Sequence, residues 1–434
     1  MHITILTIGS RGDVQPYVAL GMGLQAAGHQ VCVGTEADYE TFVTGCGLEY
    51  ARLPGNTRQK HNDSAWKHYL NHETGNIISS IRQGMKFVIP GLRELLDVSW
   101  QVCQNTEAII CMPQVPSGYL IAKTLGIPFI SVWATPNTPT TAFAHPYLTS
   151  ELPLGILNRL SYPFVDLLCI QYWGPVLDQW QRETLQRPPQ PLKALKEFYS
   201  QPIPTLYGYS PTLLPKPTDW GDNIHVPGFW FLDQQSDWQP SSQLTDFLAA
   251  GTPPVYVGFG SAVWEDPQRI TEMILAAVQQ SGQRAILDLC WGGLTDADLP
   301  DTILKVESKD APHRWLLPRM AAAIHHGGAG TIGAVARAGI PSMVIPSYYD
   351  HTFWGRQVAK RGAGLPPQRL KQLSVNKLAR QIRFLATDSN LRQRAKAVGE
   401  SVRAERGVER AVEIILDHLP VERSLKIPVP GGSP

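Results

Sequence analysis

The 434-residue sequence predicts an α/β protein made of two doubly wound parallel-sheet domains facing each other across a cleft. Three observations carry that reading. In the first half, short β-branched runs alternate with stretches of helical apolar spacing, the pattern of parallel strands covered by helices. Pro211, Pro215, Pro217, Pro227 and Pro240 then cluster with Gly, Asp and Ser around Asp219–Gln243, a linker signature. Beyond it the strand–helix alternation resumes. The predicted division is residues 1–218 for a first domain, 219–243 for the linker, 244–416 for a second domain and 417–434 for a tail.

Taken in order, Ile3–Ile8 is the first predicted strand and Gly9-Ser10-Arg11-Gly12-Asp13 a turn. Pro16 suits the first turn of a helix, where its missing N–H is not needed, and Pro16–Ala27 keeps helical spacing until Gly28. Gln30–Gly34, Ala108–Cys111 and Pro128–Val132 read as further strands. In the second half, Pro254–Phe259 is a strand ending at Gly260-Ser261, Asp266–Ser281 a helix, and Ala285–Leu289 and Ile303–Val306 strands. Ala321–His325 is the next strand, Thr331–Arg337 opens a helix, Pro341–Ile345 is the last strand, and Leu373–His418 is a charged helical tail.

Composition narrows the function. With 43% hydrophobic and 17% charged residues the chain can build a core, and a formal net charge of +1 offers no field for a nucleic-acid partner. Its six cysteines (Cys32, Cys46, Cys103, Cys111, Cys169 and Cys290) form no C-x-x-C pair and read as free thiols of a reducing compartment. The start M-H-I-T-I-L-T-I-G lacks the basic region of a signal peptide. No apolar run approaches the roughly 18 residues of a membrane span. These features predict a cytoplasmic protein; a monomer is expected.

Open α/β sheets bind ligands beyond the C-terminal ends of their strands. Two turns meet that description: Gly9–Asp13, and the stretch A-I-H-H-G-G-A-G-T-I-G-A from Ala323 to Ala334. In the second, a strand ends in His325-His326, three glycines bend the chain, and Thr331 opens a helix. A helix N-terminus has unpaired N–H groups and a partial positive charge; glycines let an anion approach; Thr331 adds a hydroxyl. The pattern reads as a diphosphate cradle with His326 at its lip. The alternative is a glycine turn holding two core histidines. There is no G-K-[ST], so the motif is not a Walker loop.

Pro312–Thr331 (P-H-R-W-L-L-P-R-M-A-A-A-I-H-H-G-G-A-G-T) and Ala338–Val358 (A-G-I-P-S-M-V-I-P-S-Y-Y-D-H-T-F-W-G-R-Q-V) resemble the donor-binding signature of family 1 nucleotide-sugar glycosyltransferases. G-S-R-G-D-V-Q-P-Y-V-A-L-G, from Gly9, resembles the branch of sterol glucosyltransferases and antibiotic aglycone glycosyltransferases. W-A-T-P-N-T-P-T-T-A-F-A-H-P is similar to that branch's acceptor-domain segment. The resemblance implies the GT-B fold. It also implies an inverting, metal-independent transfer of a hexose from a UDP-sugar to a hydroxyl of a hydrophobic acceptor such as a sterol, lipid or polyphenol, with no cofactor.

Carried over by residue, the resemblance gives Asp13 as general base. It gives Ser261, His326, Gly328, Ala329, Gly330 and Thr331 to the donor diphosphate, Asp350 and His351 to the donor sugar, and His313 and Trp315 (in the region Asp310–Trp315) to the nucleobase. His351 stands where the family usually has Gln, which opens galactose beside glucose as donor sugar. Asp13 can alternatively cap the following helix, and Arg11 beside it is expected to oppose any rise in its pKa. Trp315 and Trp354 suit either a pocket wall or a core. Asp296-Ala297-Asp298 spells a metal-binding D-x-D but lies in a polar loop, where a solvated turn is expected.

The apolar stretch Leu152–Trp180, with Trp66, Trp100 and Trp133, suits a pocket for a flat hydrophobic alcohol. Trp133, Asn137, Thr138, Thr140 and His145 are the acceptor-site candidates. Part of the stretch is a candidate for peripheral membrane contact, although the sequence shows no strongly basic face to accompany it. Two other function classes remain open. One is a UDP-sugar epimerase or hydrolase of the same fold, which leaves the Gly9–Asp13 turn and the apolar stretch unexplained. The other is a non-catalytic nucleotide-sugar or lipid-binding protein, against which stand intact Asp13, Ser261, His326, Thr331 and Asp350.

Overall fold

The computed structural model describes residues 1–57, 59, 63–72, 77–148, 154–188, 202–233, 238–262, 264–289, 299–307, 311–347 and 350–420. Cys290, Asp296–Asp298 and Asp310 lie outside the described residues.

Two parallel sheets form the scaffold. The first has seven strands: β1 (His2–Leu6), β2 (Gln30–Glu36), β3 (Glu49–Leu53), β4 (Ala108–Cys111), β5 (Phe129–Trp133), β6 (Thr205–Tyr207) and β7 (Ile224–His225), in the order β3-β2-β1-β4-β5-β6-β7. The second has β8 (Val255–Gly258), β9 (Ala285–Asp288), β10 (Ile303–Val306), β11 (Ala322–His325), β12 (Ser342–Val344) and β13 (Gly364–Leu365), ordered β10-β9-β8-β11-β12-β13. The central strands read as unbroken apolar runs because helices cover both faces. In each sheet the strand order reverses once, between β1 and β4 and between β8 and β11. At such a reversal the flanking loops part and leave a crevice.

The first helix spans Arg11–Ala26, so it begins five residues before Pro16, which lies inside it. Ser10 is its N-cap and supplies the start signal that Pro16 was expected to give. The proline-rich region also holds more structure than a linker. Ile224–His225 pairs with β6 and extends the first sheet, and Ser242–Ala249 is already helical. The charged tail divides into helices Val375–Thr387, Ser389–Ala404 and Gly407–His418. The last of these returns to the first domain, where Ala411, Val412, Ile414 and Ile415 join the core of β1, β2 and the first helix. Gly407 fits there because the backbone of Gly228 and Phe229 leaves no room for a side chain.

The two sheets face across a cleft of about 3410 Å³ lined by residues of both domains. It runs from the loops after β1 and β4 to those after β8 and β11.

Candidate active site

The turn after β1 is built around one carboxylate. Asp13 Oδ2 accepts hydrogen bonds from the Ser10 N–H and the Ser10 hydroxyl, both at 2.8 Å. Gly9 has φ +126°, and a Cβ there would lie 2.6 Å from the same oxygen. Only glycine permits both. Asp13 is therefore the third residue of its helix, tied back to the N-cap, and the capping role is part of its geometry.

Burial pushes the Asp13 pKa above the usual carboxylate range, the Ser10 hydrogen bonds oppose the rise, and the Asp350 carboxylate adds to it. Arg11 does not oppose the rise, contrary to expectation. Its guanidinium lies 3.7 Å over the Phe42 ring and its Nε donates to Gln15 at 3.0 Å.

Facing this turn is the start of the Ala329–Ala338 helix, with Gly328 as N-cap. The two helix N-termini approach so closely that a Cβ on Gly330 would sit 3.6 Å from the Gly12 Cα. Ala329, Gly330 and Thr331 form the first turn and line the cleft with Gly328 and Ser261.

His326 is wedged between the loops after β8 and β11. A Cβ on Gly260, whose φ is +53°, or on Gly328 would each come within 2.6 Å of its ring. Its Nδ1 is buried without a hydrogen-bond partner among the described residues, and burial pushes its pKa far below the ordinary histidine value. His325, one residue earlier, points into the domain core and is fully buried, with its pKa pushed down to about 3. Of the adjacent pair, only His326 lines the cleft.

Asp350 precedes the His351–Lys360 helix. Its Oδ2 accepts from Trp354 Nε1 at 3.0 Å and from the Thr135 hydroxyl at 2.5 Å, the latter reaching over from the first domain. Burial raises the Asp350 pKa against these two bonds. Trp354 is fully buried against Tyr209 and Phe353, so it is a core residue that also anchors Asp350. His351 stands edge-on to His326 with ring centroids 4.9 Å apart, its Nδ1 3.1 Å from the Ser347 hydroxyl.

His313 and Trp315 also line the cleft. The Tyr256 hydroxyl donates to Asp288 at 2.8 Å and lies 2.9 Å from His313 Nε2, which fixes the imidazole from behind. One face of Trp315 is taken by Arg319, 4.0 Å away, and Trp238 meets it edge-on at 5.2 Å.

The acceptor candidates divide. Trp133, Asn137 and His145 line the cleft. His145 is buried, its Nδ1 accepts from the Tyr147 N–H at 3.2 Å, and burial pushes its pKa down to about 3. Thr138 and Thr140 do not reach the cleft. Thr138 Oγ1 is 2.7 Å from the Tyr207 hydroxyl, and Thr140, fully buried, donates to Asp219 at 2.6 Å. Both brace the loop that carries Asn137. Trp66 lines the cleft with Tyr69 and Phe87, whereas Trp100 packs against the first-domain core. The helix Gly155–Glu183 adds Val165, Asp166, Cys169 and Trp173 to the wall.

Thr135 and Asp166 were not singled out from the sequence. Thr135 is separated from Asp350 by 215 residues, and only the packing of the two domains pairs them. Asp166 sits within an apolar stretch, and burial lifts its carboxyl to about 7.

Residues 3–144 match the glycosyltransferase family 28 N-terminal domain, and residues 273–416 match the C-terminal domain typified by erythromycin biosynthesis protein CIII. A sterol 3-beta-glucosyltransferase of Arabidopsis thaliana is 33% identical over 438 residues, covering 100% of this chain and 70% of that protein. The chain belongs to the sterol 3-beta-glucosyltransferase family. A fungal relative of the same name, from Debaryomyces hansenii, is 34% identical over 441 residues; the chain spans 27% of its length.

The family's fold extends to solved structures. The calicheamicin glycosyltransferase CalG4 superposes with a TM-score of 0.65 at 17% identity, covering 96% of this chain and 98% of that one. The spinosyn rhamnosyltransferase SpnG, solved with spinosyn aglycone, gives 0.62 at 18%, covering 96% and 100%. The fold is GT-B, as expected. No helix among the described residues is long and apolar enough to cross a membrane.

Proposed function

We propose that this chain transfers a hexose from a nucleoside-diphosphate sugar, UDP-glucose or UDP-galactose, to the hydroxyl of a hydrophobic acceptor such as a sterol. The observation that carries this reading is the meeting of two helix N-termini across the cleft. One presents the Asp13 carboxylate. The other presents the unpaired N–H groups and partial positive charge that suit a diphosphate.

In this reading the donor diphosphate lies on Gly328–Thr331, with Ser261 and His326 as further donors. The neutral His326 offers one ring N–H, and a diphosphate beside it raises its affinity for a second proton. Asp350 and His351 hold the sugar hydroxyls, and His313 and Trp315 border the nucleobase. Asp13, made more basic by burial, takes the proton of the acceptor hydroxyl as its oxygen attacks the anomeric carbon. The bond to the diphosphate breaks in the same step, the anomeric centre inverts, and charge on the leaving group is met by the helix terminus and His326. The transfer is read as metal-independent because these groups supply that stabilisation. Trp133, Asn137, His145 and the cleft wall of Gly155–Glu183 surround the acceptor.

The deciding assay is nucleoside-diphosphate release from UDP-glucose, UDP-galactose, UDP-N-acetylglucosamine and TDP-glucose, with and without sterols and other lipophilic alcohols, in EDTA. Acceptor-dependent release that survives EDTA is expected. Tight UDP binding with no release for any pair would overturn the enzymatic reading in favour of a binding protein.

A further inference from the structure

Of the nine large hydrophobic side chains exposed among the described residues, eight lie on two neighbouring helices of the first domain. Six belong to the start of the Gly155–Glu183 helix and its N-cap: Leu154, Ile156, Leu157, Leu160, Phe164 and Leu167. Leu157, Leu160, Phe164 and Leu167 follow the three- and four-residue spacing of a single helical stripe. Ile78 and Val88, on the Ile77–Val102 helix, make up the eight. Scattered exposed leucines are ordinary, but a contiguous stripe marks an interaction surface.

Three further features identify what the stripe meets. The first is charge. Arg82 and Lys86 are exposed one and two turns on from Ile78, and Arg159 is exposed between Leu157 and Leu160. Across residues 77–92 and 154–177 the only acidic residue is Asp166, which lines the cleft. Arg159 lies more than 70 residues from Arg82 and Lys86 in sequence, so the basic rim becomes visible only when the helices pack.

The second is alignment. Arg93 Nη1 donates to Glu183 at 2.6 Å, and the Thr184 hydroxyl donates to Asp97 at 3.3 Å, which joins the second half of the Ile77–Val102 helix to the C-terminal end of the other. The third is continuity. Ile77, Ile81, Met85 and Val88 of one helix and Val165 and Cys169 of the other line the cleft. The exposed face runs over the rim into the wall assigned to the acceptor.

We infer that this face docks on an anionic lipid surface and holds the mouth of the acceptor cleft against the bilayer. An apolar stripe flanked by Arg and Lys is the pattern of a helix lying in the membrane interface, its apolar side among acyl chains and its cations among phosphates. A hydrophobic alcohol resides in that layer, so docking gives it a path into the cleft that avoids water. This inference rests on the proposed reading of the acceptor as hydrophobic.

The test is sedimentation of the full chain with vesicles of phosphatidylcholine alone and with phosphatidylserine added. Wild type should co-sediment, more strongly on the anionic vesicles and less at high salt. Leu160→Ser/Phe164→Ser/Leu167→Ser should abolish binding to both. Arg82→Glu/Lys86→Glu should weaken binding to anionic vesicles by roughly tenfold or more. None of these five residues lines the cleft, so a wild-type circular-dichroism spectrum and melting temperature, with wild-type transfer to a sterol supplied in cyclodextrin, certify that the first domain of each variant is folded.

A wild type that stays in the supernatant with both vesicles, or a triple variant that sediments like wild type, would overturn the proposal. So would a wild-type dimer that ignores vesicles and becomes monomeric in the triple variant, because a second copy then covers the face. Activity separates the two readings. The triple variant should glycosylate a sterol supplied in cyclodextrin as wild type does, but lose turnover on sterol embedded in vesicles. Vesicle binding with no transfer to either form would overturn the transferase reading and leave the docking face standing.

Discussion

The Thr135 hydroxyl donates to the Asp350 carboxylate across the cleft, joining the loop after β5 to the start of the His351–Lys360 helix. Trp354 Nε1 holds the same oxygen from within the second domain. The residue assigned to the donor sugar is thereby oriented by both domains. Both bonds fall on Oδ2. Thr135→Val should lower kcat/KM by roughly 10- to 100-fold, the worth of one buried hydrogen bond to a charged group. Thr135→Ser should restore most of it. If the valine variant matches wild type with the best donor, Asp350 does not depend on this bond.

Asp13→Asn should eliminate transfer while leaving UDP affinity nearly unchanged, because the amide preserves the shape of the turn but cannot take a proton. The wild-type pH profile should carry the same information. Burial raises the Asp13 pKa, so the acidic limb of kcat/KM should fall at a pH above the ordinary carboxylate value. Retained turnover in the asparagine variant would refute the base assignment.

His351→Gln addresses the donor sugar. His351 is held by Ser347 and packs edge-on against His326, so it presents a short, fixed imidazole where the family usually has a longer amide. The variant should move donor preference toward UDP-glucose. A glucose-to-galactose ratio equal to that of wild type would remove His351 from the selectivity argument.

Gly260→Ala should mimic loss of His326. At φ +53° an alanine is strained, and its Cβ would press to 2.6 Å from the imidazole. UDP affinity should drop about as far as in His326→Ala. Wild-type affinity by calorimetry in Gly260→Ala would show that the imidazole is not part of the diphosphate site.

Local signals made much of this legible in the sequence. The order strand, His, glycines, Thr, helix is contiguous, so the strand, turn and helix proposed to hold the diphosphate could be read before folding. The Gly9–Asp13 turn was equally local. Its helix start was misjudged because Pro16 is a weaker signal than the tie between Ser10 and Asp13. What stayed hidden depends on contacts between distant segments. Thr135 meets Asp350 only through domain packing. Thr138 and Thr140 looked like acceptor contacts, yet they turn toward Tyr207 and Asp219. The return of Gly407–His418 to the first domain leaves no periodic trace, because an apolar stripe does not say which core it joins.

Acid should destabilise the fold through its buried histidines. Burial holds His145, His325 and His351 at about 3. Between there and the unfolded value near 6.5, the unfolded chain binds protons that the native chain refuses. Stability therefore falls as pH drops below about 6.5, each histidine contributing up to about 1.4 kcal/mol per pH unit. Asp166 works in the opposite direction. Pushed up to about 7, it is protonated in the native chain while its unfolded counterpart is ionised until near 4, so it gains stability over the same window. His326, which burial also holds far below the ordinary value, joins these three. Asp13 and Asp350, which burial raises, side with Asp166. Four histidines against three carboxyls leave a net loss, and thermal melts should show Tm declining from pH 6.5 to pH 5. Asp166→Asn removes one opposing contribution and should steepen that decline. A Tm that is flat or rising on acidification in wild type would show that these histidines do not stay neutral in the folded chain.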